Sequence, residues 1–278
     1  MLIRRIFTVA IILTLGFVPA AVAEGGGSGG GNGDGTCDGN GGGNGGSKGG
    51  GNGPGNWSGS AGCQGALIER FNLLVPEELD TSETEAILFL KEEEKLARDV
   101  YLTLSLDYGT AIFTNIARSE DHHMGLVDLL IARYGLTDPV QDNPIGVFTN
   151  PDIGALYASL VAQGQQSLVD ALIVGATIED LDLADLYDLI ETTDNLDMAL
   201  IAQNLAAGSR NHLRGFVKVL DKNGGTYEAQ YLDAAVMADI IASDPERGVV
   251  YDEFGDVLAE CGGPRGPQIG VHGGSTHN

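Results

Sequence analysis

Between residues 82 and 242 the apolar positions recur at alternating spacings of three and four, the period of a helix with one buried face. One stripe reads Ile87, Leu90, Glu94, Ala97, Tyr101, Leu104, and a second reads Phe113, Ile116, Glu120, His123, Val127, Leu130, Tyr134. A third reads Glu179, Asp182, Leu186, Leu189, and a fourth Leu205, Ser209, His212, Phe216, Val219. Punctuation sets the ends. Ser82-x-x-Glu85 reads as a capping box for a helix to about Leu106, and Tyr108-Gly109 ends it. A second helix runs from about Ile112 to Tyr134 and stops at Gly135. Residues 137–149 form a loop with Pro139 and Pro144. Asn150-Pro151 then opens a short helix to about Gln163, and Ser167 caps another that ends at Gly175. Thr177-x-x-Asp180 starts a long helix to about Thr192, and Asp194 or Asn195 caps the last long one, to about Lys222. A short helix near Ala234 to Ala242 follows, and no segment of the core reads as a strand. The prediction is an all-α bundle of two hairpins with a long crossover containing short helices.

The stripes carry polar residues where core residues belong. Asn115-Ile116-Ala117, Glu120 and His123 are matched, 89 positions later, by Asn204-Leu205-Ala206, Ser209 and His212. The first and third stripes superpose as well, Glu94 on Glu179 and Ala97 on Asp182. Each hairpin therefore turns a carboxylate inward from its first helix and an imidazole from its second. An ionisable group in a buried seam costs several kcal/mol unless it is paired. Carboxylate oxygen with imidazole nitrogen suits iron, manganese or zinc. The candidate metal ligands are Glu94, Glu120, His123, Glu179, Asp182 and His212. The choice between Glu179 and Asp182 stays open. Glu94 precedes Glu120 by 26 residues, Asp182 precedes Ser209 by 27 and Glu179 precedes it by 30, so the count favours Asp182 and the stripe favours Glu179. Each candidate has a plainer reading: a hydrogen-bonded Glu–His pair, a satisfied core histidine, or helix-start carboxylates at the positive dipole end. Glu92 and Glu93 read as an ordinary charged face, His122 points about 100° away from His123, and Arg210 and Arg214 could pair with the inward carboxylates in place of a metal.

The run Glu92-Glu93-Glu94-Lys95-Leu96-Ala97-Arg98-Asp99-Val100-Tyr101 resembles the first helix of the ferritin-like superfamily, where a ligand Glu and a Tyr seven residues later are common. The blocks 113–120, 174–179 and 208–214 are similar to those of the domain-of-unknown-function family 2202, over about Glu83 to Tyr231. The resemblance implies a ferritin-like four-helix bundle and no settled activity. Ser209 departs from the second Glu-x-x-His of a symmetric di-iron site.

The ends differ in kind. Arg4 and Arg5, the apolar run Ile6 to Phe17 and Ala21-Val22-Ala23 read as a signal peptide over residues 1–23, so an exported protein with no stable membrane anchor after cleavage is expected. Residues 24–65 read as a Gly-rich flexible linker, 66–261 as the helical domain, and 262–278, with His272 and His277, as a disordered tail. Three cysteines, Cys37, Cys63 and Cys261, allow one bridge without choosing the pair. The net charge of −24 all falls after residue 65, because Arg4, Arg5 and Lys48 balance Glu24, Asp34 and Asp38. Such a body repels nucleic acid and favours cations as partners, and an oligomer is compatible with it. The expected function is an exported protein that binds one or two iron or manganese ions in its core, as a ferroxidase or peroxide-reducing oxidoreductase. Two rival expectations are a metal-free scaffold acting as a binding or structural module and a store of weakly held cations.

Overall fold

The structure is a computed structural model, and it describes residues 61–261. The signal peptide, most of the linker, Cys37 and the tail with its two histidines lie outside the described residues. Seven helices and one small hairpin are seen there: α1 (Ala61–Leu73), α2 (Thr81–Tyr108), α3 (Ala111–Tyr134), α4 (Pro151–Gly164), α5 (Leu168–Thr192), α6 (Leu196–Lys222), α7 (Ala234–Ala242), β1 (Val249–Tyr251) and β2 (Val257–Glu260).

The four striped segments are the four long helices. α2 pairs with α3 and α5 with α6, each across a short turn, and the hairpins meet through α3 on α6 and α2 on α5. The crossover 135–167 carries α4, which packs on both α2 and α5. Leu90, Tyr101, Leu104, Phe113, Val127, Leu186, Leu205 and Phe216 are all buried between the hairpins. Gly109 and Gly135 adopt positive φ at the ends of α2 and α3, as helix-terminating glycines do.

Local details differ from the sequence prediction. The capping box of α2 uses Asp80 and Glu83, not Ser82 and Glu85: Asp80 Oδ1 accepts the Glu83 N–H at 2.8 Å, and Glu83 Oε2 accepts the Asp80 N–H at 3.1 Å. Segments 167–175 and 177–192 form one continuous helix, α5. Gly175 does not stop it. A Cβ there would stand 2.4 Å from the Phe216 ring, so the residue permits close helix packing. Helix α1 and the hairpin carry no strong period, and the sequence pattern does not predict them. Val249 and Val250 pair with Glu260 and Ala259 antiparallel, and the Cys63–Cys261 disulfide ties α1 to the end of β2.

Glu92 and Glu93 are buried as well, which overturns their reading as a charged face. Their side of α2 is covered by the crossover. Glu92 accepts the backbone N–H groups of Thr149 and Asn150, and Asp99 accepts that of Gly146 at 2.9 Å. These carboxylates hold the crossover down. Asp180 does the same for the segment after α6, accepting the N–H groups of Gln230, Tyr231 and Leu232 and the Tyr227 hydroxyl. Among the described residues no helix is long and apolar enough to cross a membrane.

Candidate metal centre

Every long helix contributes to one inward polar cluster: Glu94 from α2, Glu120 and His123 from α3, Glu179 from α5 and His212 from α6. From α3, Glu120 and His123 lie three apart, which places both on one face. His123 Nδ1 stands 2.7 Å from Glu120 Oε2 and 3.2 Å from Glu94 Oε2 on α2. His212 Nδ1, from α6, stands 2.9 Å from Glu120 Oε1 and 3.3 Å from Glu179 Oε2 on α5. Glu120 thus lies between two imidazoles, one on each oxygen. The rings stack with centroids 5.1 Å apart. Around Glu120 the groups form two half-sites, Glu94 with His123 and Glu179 with His212, matching the duplicated pattern of the two hairpins.

Tyr101, one helical turn below Ala97 on α2, donates its hydroxyl to Glu179 Oε1 at 2.5 Å. Asp182 is buried one turn along α5, beside Ser209. Of the two carboxylates left open by the sequence, Glu179 is the one that lies next to His212, at 3.3 Å. Ser209 donates its hydroxyl to Leu205 O at 3.1 Å, a bond within its own helix.

Burial and mutual charge move the titrations. Burial pushes the Glu94 carboxyl up to about 7, although the adjacent His123 opposes it. Burial would raise Glu120 too, but His212 and His123 together hold it well below the usual carboxylate range. Burial depresses both imidazoles, yet the carboxylates outweigh it: Glu120 and Glu94 hold His123 well above its ordinary value, and Glu120 and Glu179 lift His212 to about 10. Burial and the Glu94 and Glu179 charges drive Asp182 well up.

The donor set fits a cation. Glu120, His123 and His212 each offer a ligand atom, all within 4.8 Å of one another, and could hold a metal ion. Glu94 Oε1, Glu120 Oε1 and His212 Nδ1 are buried and make no hydrogen bond. The 2.9 Å approach of His212 Nδ1 to Glu120 Oε1 is therefore close but misaligned for a hydrogen bond. Ligand atoms about 2.1 Å from a shared ion would stand about 3 Å from each other, as these do. Arg210 and Arg214, which could have replaced the ion, instead pair with Glu246 at 2.8 and 2.9 Å. Glu246 lies in the segment after α7 that folds back over α6.

Two glycine positions matter here: sequence reasoning takes Gly175 for a helix stop and attaches no role to Gly208. Gly175 admits Phe216, which packs on Tyr101 with ring centroids 5.1 Å apart. A Cβ at Gly208 would lie 2.2 Å from His123 Nε2, so α6 leaves room for that ring only because residue 208 has no side chain. A cavity of about 300 Å³ reaches the same edge of His123, between Ser119, His122, Gly208, Asn211 and the Val249 strand. His122 lines it, half-buried. A helical glycine seven residues ahead of Gly215 carries no distinguishing local signal.

The family model described as an uncharacterized protein domain, DUF2202, matches residues 83–244, which include Glu94, Tyr101, Glu120, His123, Glu179, Asp182, Gly208 and His212. The chain belongs to the DUF2202 family. It is similar to the uncharacterized protein MJ0754 of Methanocaldococcus jannaschii, with 47% identity over 183 residues that span 66% of this chain and 99% of that protein. The crystal structure of hypothetical protein MJ0754 from Methanococcus jannaschii is similar at a TM-score of 0.61 and 48% identity, over 62% of this chain and 99% of that one. The DUF2202 match begins two residues into α2 and ends just past α7, so α1 and the β-hairpin lie outside it.

Proposed function

We propose that the DUF2202 domain is a ferritin-like four-helix bundle that binds two transition-metal ions, iron or manganese, across Glu120. The observation that carries this reading is the pair of contacts 2.7 and 2.9 Å from the two oxygens of Glu120 to His123 and His212 Nδ1. Glu120, His123 and His212 would hold the ions, the carboxylate offsetting part of their charge and the imidazoles, when neutral, supplying nitrogen donors. Glu94 and Glu179 complete the half-sites. When bound, such a pair supplies electron transfer to dioxygen or peroxide, which makes the protein a candidate ferroxidase or peroxide reductase. The chain's own contribution is to orient the ligands and exclude water. The Phe113, Tyr101 and Phe216 rings close one end of the site. The Tyr101 hydroxyl holds Glu179 in place and keeps its proton, because burial and the Glu179 charge push the phenol well above its usual range.

The Cys63–Cys261 disulfide supports an exported, oxidising location for the protein. A second reading has one specific observation behind it. Both imidazoles are raised and Glu120 is lowered, so the metal-free cluster can close on itself as an imidazolium–carboxylate network in a scaffold without metal. Elemental analysis of the full chain after loading with Fe(II) or Mn(II) separates the two. One to two tightly held equivalents are expected, and less than about a tenth of an equivalent leaves only the network.

A further inference from the structure

The cavity of about 300 Å³ beside His123 has two kinds of wall. One belongs to the bundle: Ser119 and His123 from α3, Gly208 and Asn211 from α6. The other is Cys63 and Leu67 of α1 with the segment 247–250, all outside the DUF2202 match. The Cys63–Cys261 disulfide and the Arg70–Glu253 ion pair fasten α1 to the hairpin, so this second wall is fixed in place.

The acceptors on the cavity are already used. Glu246 takes Arg210, Arg214 and the Tyr251 hydroxyl. Asn204 Oδ1 takes the Tyr251 N–H, and Asn211 Oδ1 takes the Glu246 N–H and Arg214. What remains is a surplus of donors. Among the described residues, the Arg247 guanidinium, Asn211 Nδ2, the Ser119 hydroxyl and His123 Nε2 make no hydrogen bond or ion pair. The first two can only donate; the hydroxyl and the imidazole can donate or accept. His123 is 4% exposed; its Nδ1 serves the carboxylates, and its Nε2 faces Gly208 on the cavity side. A buried ring nitrogen without a partner is destabilising unless something fills that place. Leu67, Val249 and Val250 make another part of the lining apolar.

We propose that this cavity is a binding site for a small carboxylate with an apolar body of a few carbons. The carboxylate lies among Arg247, Asn211 Nδ2, Ser119 and His123 Nε2, and the carbon chain lies against Leu67, Val249 and Val250. A volume of about 300 Å³ suits a ligand of that size. In a chain of net charge −24, a cavity whose unused polar groups include a guanidinium and an amide N–H selects for an anion that the rest of the surface repels. The site goes beyond the metal centre and does not require it to be filled.

The test is calorimetric titration of the full chain with butyrate at fixed ionic strength, with butyramide as its uncharged counterpart. Butyrate is expected to saturate at one equivalent, and butyramide to bind at least about tenfold more weakly. Arg247→Gln is expected to weaken butyrate about tenfold; Arg247 is exposed and holds no other residue, so the fold is unaffected. No saturable heat with butyrate below about 10 mM overturns the proposal. So does equal binding of butyramide, or unchanged butyrate binding in Arg247→Gln. In wild-type crystals soaked with 4-bromobutyrate, an anomalous bromine peak is expected beside Leu67 and Val250, and its absence there is decisive against the site. Elemental analysis reads the metal separately. Butyrate binding that depends on Arg247 in a chain that holds no metal sustains this proposal and removes the one above, and metal without butyrate binding does the reverse.

Discussion

Gly208→Ala tests the centre through a residue that ligates nothing. The added Cβ would meet His123 Nε2 at 2.2 Å and Cε1 at 2.6 Å. Carbon and nitrogen atoms in contact settle near 3.5 Å, so the ring or α6 must give by about 1 Å. The His123 ring is held at its other edge by Glu120 at 2.7 Å and Glu94 at 3.2 Å. A shift of about that size, with Nδ1 displaced from Glu120, takes it out of ligand range of any ion at about 2.1 Å from both. The overpacking should cost about 1–3 kcal/mol of metal-free stability. That amounts to a fall of about 2–10 °C in Tm for a domain of this size. All three atoms nearest the added Cβ belong to the His123 ring and none to His212 or Glu179, so the loss should fall chiefly on the His123 side. Elemental analysis of iron- or manganese-loaded protein should fall by about half, and the metal-induced rise in Tm should shrink with it. A Gly208→Ala protein with wild-type metal content and wild-type affinity would show that the centre does not depend on His123 or on its spacing from α6, because the clash must displace one of them.

Further outcomes follow from the same geometry. Glu120→Gln removes the carboxylate between the imidazoles. It should lower metal-free stability at neutral pH by about 3–5 kcal/mol, as breaking a buried pair does, and calorimetric titration should find no two-metal binding. For the metal-free protein, His212 is raised from 6.5 to about 10 and Glu94 from 4.5 to about 7, so folding favours the protonated form of both. Their contribution is complete below the unfolded values and is lost as pH rises through 7 and then 10, so metal-free Tm should fall steadily from about pH 5 to pH 9. Metal binding releases those protons, so metal affinity should rise over the same range; a metal-free Tm that climbs with pH would contradict the assignment. Ser209→Glu adds a carboxylate beside Asp182, and differential scanning calorimetry should show a lower metal-free Tm with a larger gain on metal loading than in the wild type. Cys63→Ser opens a loop whose ends are 198 residues apart. It should cost up to about 5 kcal/mol by the chain-entropy account while leaving metal content unchanged.

Much of this protein is legible in its sequence, because the signals are local. A 3.6-residue period places Glu94 with Tyr101, Glu120 with His123 and Ser209 with His212 on single helix faces, whatever packs against them. The duplication of acid and imidazole across the hairpins implies that they meet, and ring centroids 5.1 Å apart are the outcome. Other features depend on which chain segment covers which face, and no local period records that. The crossover buries Glu92 and Asp99 by offering its backbone N–H groups, and it shuts Glu93 against the acids of α5. The C-terminal segment folds back to supply Glu246 to Arg210 and Arg214, which leaves the central carboxylates without an arginine. Close helix contact turns Gly175 from a predicted stop into a seat for Phe216 and makes Gly208 the space for His123. The choice of Glu179 over Asp182 turns on a register between α5 and α6. The pairing of Cys63 with Cys261 joins two ends that approach each other only in the folded chain. Helical faces are properties of short stretches of sequence; partners for those faces are properties of the packed whole.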